Sequence, residues 1–423
     1  MTSAYPFGYC LPPVLLCRAM PSSLYPNISE RSILLLVGAV QFVNILDFVM
    51  VMPLGPDFAP SLGIPTNDIG WIGGSYTAAS AVAGIASSLF IDKLDRKTAM
   101  LVTLMGLIIT TALGGFAWNF NSLLASRILA GLCGGPLTST AWAIIADTVE
   151  PARRGRAMGK VMGAFSLAAV FGVPFGLAMS QLHNWSTPFF TTSALAAVVL
   201  IMTVRLMPSM RAHLAQVSDA VSPRYLLSLL VRPLYAVTYL YTLIAMVASF
   251  MIIPNISAYV QYNLHYPRSG LGWLYSVGGV VSFATMRMTG RMIDRFSASL
   301  TSFISMLTYV FVLWIAFIQP WQQLSVMMVF VLFMFAMGMR NVSSTTLATT
   351  LPPPQERAGF MSLMSCMQGI GMSLGAFTST ELLTESSGHA LVGMDRLASI
   401  CICFSLFVPF LMRIVENLRK KAQ

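Results

Sequence analysis

A short pattern that ends in an aspartate occurs twice in this 423-residue chain, and the copies lie in register. Trp71 precedes Asp92 just as Trp273 precedes Asp294 (273 − 71 = 202; 294 − 92 = 202). A second pair, Pro151 to Arg154 and Pro354 to Arg357, repeats at an offset of 203 (354 − 151). Two pairs in register predict that the chain consists of two related halves.

The composition indicates that both halves lie in a membrane. The chain is 56% hydrophobic and only 9% charged, with a mean hydropathy of +0.74, whereas a soluble protein carries about 25% charged residues. Apolar stretches of about 20 residues, long enough to cross a bilayer as helices, recur along most of the length. We therefore predict an all-α membrane protein, and internal repeats in such chains are typical of transporters.

Hydropathy predicts about twelve transmembrane helices in two pseudo-symmetric six-helix bundles. In the first half they fall near 33–55, 69–91, 98–119, 122–146, 157–181 and 188–207. In the second half they fall near 233–257, 269–290, 298–318, 322–348, 358–381 and 395–415. We predict a disordered cytoplasmic tail over 1–31, bundles over 32–207 and 233–416, a cytoplasmic linker over 208–232 and a basic tail over 417–423.

The basic residues indicate the orientation. If the N-terminus is inside, the outer loops hold only Arg268 and Arg396, while the inner loops hold most other Lys and Arg residues. This bias predicts both termini in the cytoplasm. Because the net charge of +10 sits in short loops between apolar runs, we read it as a topology signal and predict no nucleic-acid partner. We expect a monomer in the inner membrane of a bacterium.

Several segments resemble the major facilitator superfamily. Residues 88–97 are similar to its pattern G-x-L-x-D-R-x-G-R-K, with Ser88 and Asp95 in place of the glycines. Residues 127–131 resemble its R-x-x-x-G pattern. Residues 172–176, followed by Gln181 and Trp185, and residues 340–342 and 359–368 resemble bacterial sugar-efflux and drug/proton antiporters of the twelve-helix type. The resemblance implies proton-coupled export of a small organic molecule, drug or sugar-like, by alternating access.

Ionisable residues inside the predicted helices are candidates for proton coupling, because a charge at the bilayer centre costs about 2.5–3.5 kcal/mol on insertion scales. Asp47 lies about 14 residues, roughly 21 Å, into helix 1. Arg127 in helix 4 lies at a similar depth in a core of about 30 Å. The resemblance implies that helices 1 and 4 are neighbours lining the central cavity, so we predict that the two pair across it, either as a proton switch or as a static ion pair.

Polar side chains in the same helices are candidates for substrate binding. Gln41 and Asn44 precede Asp47 at spacings of three and share its helix face; interhelical hydrogen bonding is the alternative. Arg340 should face water or an anionic substrate group, or else extend to the interface. The other candidates are Tyr241, Asn255 and Gln368.

The repeated aspartate loops are candidates for a cytoplasmic gate. Asp92 could accept hydrogen bonds from the start of helix 11, and Arg96 could pair with Asp147. The resemblance supports contacts of this kind between the halves in the outward-open state. Topology and folding alone are the alternative. The predicted gate residues are Asp92, Arg96, Lys97, Asp147, Asp294 and Arg295.

Helix 5 is predicted to bend at Gly172, Pro174 and Gly176, where proline removes a backbone donor and glycine permits close packing. A phosphate-binding loop, a metal cluster and a nucleophile motif are not apparent, so we expect no cofactor and no enzymatic activity. Two alternatives to an exporter stay open: an uptake permease or facilitator for a sugar or organic anion, and a non-transporting membrane sensor or scaffold.

Overall fold

The computed structural model describes residues 29–88, 93–150, 153–211, 214, 223–319, 324–353 and 356–422. Within these ranges the chain forms twelve long helical segments, here called spans 1 to 12. Span 1 begins and span 12 ends at one face of the molecule, which we call the terminal face. The opposite face is called the distal face.

Six spans form the first half. They are span 1 (Glu30–Val49), span 2 (Ile69–Ser88), span 3 (Arg96–Gly115), span 4 (Phe120–Thr148), span 5 (Arg154–Leu167, a π-helical turn Ala168–Gly172, and Val173–Leu182) and span 6 (Thr187–Leu206). A short helix, Gly55–Leu62, and a 3₁₀ turn, Thr66–Asp68, connect spans 1 and 2 at the distal face.

The second half repeats this plan. It contains span 7 (Pro233–Phe250, a 3₁₀ turn Ile253–Asn255, Ile256–Ala258 and a π-helical turn Tyr259–Asn263), span 8 (Leu271–Arg295), span 9 (Ala298–Leu313 with a π-helical turn Trp314–Ile318), span 10 (Val326–Thr349), span 11 (Arg357–Leu382) and span 12 (Met394–Ala422). A 3₁₀ turn, Arg268–Gly270, precedes span 8. A short helix, Pro223–Val231, precedes span 7.

Ten of the spans are long and apolar enough to cross a membrane; spans 2 and 8 are as long but less apolar. These two spans carry the repeated tryptophan, and each packs against the other half of the molecule at glycines. Faces that contact protein rather than lipid need fewer large apolar side chains. Together with these two, the count of twelve expected from hydropathy is confirmed.

Glycines bring the halves together on the distal side. A Cβ on Gly70 of span 2 would lie 2.6 Å from the carbonyl oxygen of Ala376 in span 11. One on Gly279 of span 8 would lie 3.0 Å from the backbone of Val170 in span 5. Because no larger residue fits, these glycines fix how closely the backbones of the two halves approach.

On the terminal side the halves are apart. Gly159 and Gly163 in span 5 and Gly290 in span 8 have open space where a Cβ would be. Among the described residues, the hydrogen bonds that join the halves run from the distal face down to the Thr77–Ser373 pair (2.9 Å) and no further. We infer that the halves separate toward the terminal face, and we call the space between them there the cleft.

The sequence-based boundaries need three corrections. Span 1 begins at Glu30 and ends at Val49, not near 55, because the chain turns at Met52 and enters the short distal helix. Span 7 is irregular after Phe250 and continues to Asn263. A two-stranded antiparallel hairpin, β1 (Thr384–Glu385) with β2 (Leu391–Val392), lies between spans 11 and 12 and was not expected.

Candidate functional site

Asp47 and Arg127 form an ion pair inside the first half. Nη1 of Arg127 donates to Oδ1 of Asp47 at 3.0 Å, and Oγ1 of Thr111 in span 3 donates to the same oxygen at 2.8 Å. The guanidinium carbon lies 5.2 Å from the ring centroid of Phe189 in span 6. The helix-depth argument from the sequence therefore places the correct two residues together.

The pair does not line the cleft, in contrast to the expectation. The side chains of Asp47 and Arg127 are 0% and 1% exposed, and their neighbours come from spans 3 and 6 of the same half. Depth along a helix does not determine which way a side chain points around the helix axis. The pair is thus a buried charge pair, strongly coupled because the surroundings have a low dielectric constant.

The hydrogen bonds of this pair are unevenly distributed. Oδ1 of Asp47 accepts two hydrogen bonds, while Oδ2 is buried and accepts none within the described part of the chain. Nε and Nη2 of Arg127 are likewise buried without an acceptor there. A carboxylate oxygen left bare in this way is the atom that can take up a proton without displacing an existing hydrogen bond.

Asn44 connects the ion-pair region to span 2. Its Nδ2 donates to Oγ1 of Thr138 at 2.9 Å, and its Oδ1 accepts from the hydroxyl of Tyr76 at 3.3 Å. Asn44 therefore forms the interhelical hydrogen bonds that were the alternative to substrate binding. Gln41 is also buried, and its Nε2 has no acceptor among the described residues.

Three aromatic rings meet at the distal end of the cleft. Phe48 of span 1 stacks on Tyr76 of span 2, with centroids 5.2 Å apart, and on Phe250 of span 7 at 6.2 Å. The second stack crosses from one half to the other. We call Phe48, Tyr76 and Phe250 the aromatic roof. Phe48 immediately follows Asp47, so the roof adjoins the buried ion pair in sequence.

Arg340 occupies a different environment in the second half. It is 2% exposed; Nη2 donates to Oγ of Ser249 and contacts Sδ of Met337 at 2.9 Å. Its guanidinium carbon lies 4.8 Å from the ring centroid of Tyr309 in span 9. The prediction that Arg340 faces water or a bound anion is wrong for this conformation, because the side chain points into its own bundle.

The remaining polar candidates are also used inside the second half. The hydroxyl of Tyr241 donates to the carbonyl of Ser344 at 3.0 Å, and Nδ2 of Asn255 donates to the carbonyl of Met251 at 3.1 Å. Both side chains are fully buried: the Tyr241 bond joins spans 7 and 10, and the Asn255 bond lies within span 7. Gln368 in span 11 is half-buried and one residue from Gly369, which packs on Ala81 of span 2.

The gate residues lie at the terminal face. Nε of Arg96 donates to Oδ2 of Asp147 at 2.9 Å, so the predicted pair forms, but both residues belong to the first half. Nζ of Lys97 donates to the carbonyl of Val204 at 2.9 Å. Asp92 lies outside the described residues. In the second copy Asp294 is exposed, and Arg295 stacks on Phe296.

Asp95 has a role that sequence reasoning missed. In the sequence it stands where the resembled pattern has glycine, yet it caps span 3 and accepts from the backbone N–H of Met210 at 3.0 Å and from Nε of Arg211 at 3.1 Å. Burial would raise the pKa of Asp95, but these bonds, with those from Ser209 and Lys97, lower it below the ordinary value. Asp95 thus anchors the chain that leaves span 6.

The distal face carries an ion pair between the halves. Nε of Arg268 donates to Oδ1 of Asp57 at 2.6 Å, and its Nη2 donates to Oδ2 of the same carboxylate. Ser180 of span 5 donates to Asp57 at 2.8 Å. Nearby, the N–H of Thr66 donates to Glu385 at 2.8 Å. We call the Asp57–Arg268 pair the distal latch, because it joins the halves where they are closed.

Span 5 is irregular where the sequence predicts a bend. The π-helical turn ends at Gly172, immediately before the segment that contains Pro174. A Cβ on Gly172 would lie 2.5 Å from a methyl carbon of Leu46 in span 1, while Gly176 has only ordinary contacts. The irregular turn therefore coincides with a close approach of spans 1 and 5.

No group of three or more potential metal ligands occurs within the described ranges.

The two-bundle arrangement is found in solved membrane transporters. A nucleoside transporter structure aligns with a TM-score of 0.73 at 14% identity, covering 90% of this chain and 99% of that one. A D-xylose–proton symporter aligns with a TM-score of 0.72 at 12% identity, covering 90% and 97%. At these identities the likeness concerns the fold.

The sequence itself matches the Major Facilitator Superfamily over residues 37–376 and 238–422. The chain belongs to this superfamily of multi-pass membrane transporters. Relatives include an uncharacterised MFS-type transporter of Bacillus subtilis (strain 168), 30% identical over 41% of this chain and 44% of its own length. A probable sugar efflux transporter of Mannheimia succiniciproducens is 28% identical over 52% and 54%. The aligned part of this chain thus spans about half the length of these relatives.

Proposed function

We propose that the chain is a secondary transporter that exports a small organic molecule in exchange for protons. The observation that carries the proposal is the buried Asp47–Arg127 pair with its bare carboxylate oxygen. A buried charge pair carries a desolvation cost that its attraction often does not offset, so a role in specificity or switching accounts for it better than stability does. A pair whose carboxylate one proton can neutralise, next to rings that close the cleft, suits a coupled transporter.

The proposal places the terminal face in the cytoplasm of a bacterial cell, with the chain in the inner membrane as a monomer. The excess of Lys and Arg on the terminal side supports this orientation. With this orientation, the cleft opens inward and the distal latch closes the outer side. Outward opening then requires the latch to break and the terminal side, including Asp92 and Arg96, to close.

Protonation is proposed to occur at Oδ2 of Asp47. The neutral carboxylic acid attracts Arg127 much less strongly, and the guanidinium charge is then stabilised by the ring of Phe189. The N-terminal bundle loses a strong constraint between spans 1 and 4. Since Phe48 follows Asp47 on span 1, a shift of this span moves the aromatic roof that separates the cleft from the outer side.

The substrate is proposed to bind against the aromatic roof. Apolar rings at the end of the cleft suit the apolar part of a drug-like or sugar-like molecule. One relative is named a probable sugar efflux transporter. Another, of Mycobacterium tuberculosis, is named a triacylglyceride transporter and is 32% identical over 43% of this chain and 35% of its own length. The substrates in these two names differ widely in polarity. Gln41, with an unused Nε2, and half-buried Gln368 are the polar candidates.

The test uses inverted membrane vesicles with an acidified lumen, a radiolabelled sugar panel and the dye ethidium. An exporter that exchanges protons accumulates its substrate in the lumen, and collapse of the pH gradient abolishes accumulation. Asp47→Asn is expected to lose this dependence. Asp395→Asn, at the exposed distal start of span 12, is the matched control and should behave like the wild type.

Unchanged proton-driven accumulation in Asp47→Asn would refute the coupling role. Movement of a probe down its own gradient, independent of pH, would instead favour the uptake permease or facilitator. If a thermal-shift screen finds no ligand and no probe moves, and Asp47 tolerates every substitution, the sensor or scaffold interpretation is correct.

A further inference from the structure

A second cavity, remote from the ion pair, lies at the terminal face of the second half. It has a volume of about 320 Å³ and lies among the ends of spans 8, 10 and 12 and the start of span 9. Ile293, Phe296 and Leu347 form apolar parts of its wall. Arg413, Arg419 and Lys420 from the last turns of span 12 form the basic part. We call it the basic pocket.

The carboxylate in the pocket is already engaged. Glu416 accepts from the backbone N–H of Ser299 at 3.0 Å and from its hydroxyl at 2.5 Å, at the start of span 9. Its side chain is 12% exposed. The positive end of the span 9 helix dipole also stabilises this charge. Arg413 lies 3.5 Å from Glu416, and because one carboxylate faces three cations, the pocket keeps a formal charge of +2 (3 − 1).

The basic side chains are held at the rim. Nη1 of Arg419 donates to Oγ1 of Thr350 at 3.0 Å, beside the carbonyl end of span 10, where a cation is favoured. Arg413 is more than half exposed. Phe296, which is 57% exposed, presents an apolar surface directly beside them. The pocket therefore combines three cations and a single carboxylate with exposed apolar surface at the end of the spans.

We propose that the basic pocket binds the phosphate headgroup of an anionic phospholipid, with the acyl chains running along the apolar surface of spans 8 and 9. The ends of the spans place the pocket at the height of lipid headgroups. Basic pockets between transmembrane helices suit such headgroups, and each Lys or Arg near an anionic leaflet contributes about 1 kcal/mol. A soluble phosphate would use the cations but not Phe296 and Ile293.

The experiment counts lipid adducts on the full-length chain in detergent by native mass spectrometry, with palmitoyl-oleoyl phosphatidylglycerol, the matching phosphatidylcholine, or inorganic phosphate added. The wild type should retain phosphatidylglycerol in preference to phosphatidylcholine. The triple variant R413Q/R419Q/K420Q should bind phosphatidylglycerol about a hundredfold more weakly. R419Q alone should weaken phosphatidylglycerol binding about fivefold. This single variant tests the site if the triple variant does not fold.

The matched control is K160Q/R205Q/R357Q, which removes the same charge from exposed positions near the terminal ends of spans 5, 6 and 11. It should bind phosphatidylglycerol like the wild type. An equal loss of phosphatidylglycerol binding in the control would show that only the net charge of the protein matters, and it would overturn the proposed site. Equal retention of phosphatidylcholine, or displacement of the lipid by millimolar inorganic phosphate, would overturn the lipid assignment.

Discussion

The two halves share one plan but treat their buried arginine differently. In the first half, Arg127 pairs with Asp47 and faces the ring of Phe189. In the second half, Arg340 faces the ring of Tyr309 with a hydroxyl and a thioether as partners, and no carboxylate pairs with it among the described residues. The second half thus resembles the state in which the proposed protonation of Asp47 would leave the first half.

This comparison teaches that the fold tolerates a buried arginine without an anion. An aromatic face can stabilise a guanidinium by about 2 kcal/mol when it is desolvated. Under the proposed protonation of Asp47, Arg127 would face an aromatic ring as Arg340 already does. Arginine does not lose its proton in proteins. A proposed change of charge beside a buried arginine therefore requires the carboxylate of Asp47, which is in the first half.

The largest expected effect comes from removing one partner of the pair. Arg127→Met leaves Asp47 buried without a cation, so the free energy of unfolding should fall by about 3–5 kcal/mol at neutral pH. Denaturant titration in detergent micelles measures this loss. The double variant Asp47→Asn/Arg127→Met should recover most of it, and a double variant as unstable as the single one would contradict the ion-pair account.

The corresponding change in the second half should behave oppositely. Arg340→Met removes an uncompensated buried charge and substitutes a side chain of similar length, so stability should stay within about 1 kcal/mol of the wild type or increase. Comparison of the thermal midpoints of Arg340→Met and Arg127→Met tests this directly. A loss as large as that of Arg127→Met would show that the two arginines have equivalent partners.

A smaller effect concerns an ion pair that recurs in both halves with its charges exchanged. Glu30 pairs with Arg153 at 2.9 Å, and Arg232 pairs with Glu356 at 2.6 Å; the offsets are 202 (232 − 30) and 203 (356 − 153). Arg232→Glu should cost up to about 1 kcal/mol, because the pair is partly exposed.

The exchange of both charges tests whether the pair acts through attraction alone. Arg232→Glu with Glu356→Arg gives the second half the polarity of the first and should restore the thermal midpoint. A double variant that is less stable than Arg232→Glu would mean that Tyr235, which donates to Glu356 at 2.8 Å, determines the polarity.

The smallest expected effect is on pH dependence at the terminal face. Hydrogen bonds lower the pKa of Asp95 below 3.8, and those from Arg232 and Tyr235 lower the pKa of Glu356 below 4.5. A lowered folded-state pKa gives stability that is present above the unfolded value and lost as the pH falls through the folded value. The thermal midpoint should therefore decline below about pH 4, and less so in Asp95→Asn. An identical decline in that variant would exclude Asp95 as a contributor.

The fold was predictable because it depends on composition and on the repeat, both of which are properties of the whole chain. The pairing of Asp47 with Arg127 was also predictable, since helix depth follows from residue count and the resembled fold makes helices 1 and 4 neighbours. The partners around the pair were not: Thr111 and Phe189 are reached only if the rotation of four helices about their axes is known.

Contacts between distant loops were equally hidden. Asp95 binds residues more than a hundred positions later in the chain, and the sequence gives no signal for that contact beyond an acidic residue at a helix start. The distal latch joins Asp57 to Arg268, a basic residue that the charge count had already singled out as rare on its side. An unusual charge in a sparse loop was therefore the one signal that could have predicted it.

The most direct test of the account is infrared difference spectroscopy of the purified protein between neutral and acidic pH, which detects protonated carboxylic acids without a substrate. The wild type should gain a buried carboxylic-acid band on acidification, and the band should be absent from Asp47→Asn and present in Asp395→Asn. A wild-type difference spectrum that Asp47→Asn reproduces would contradict the claim that Asp47 is the group that takes up the proton.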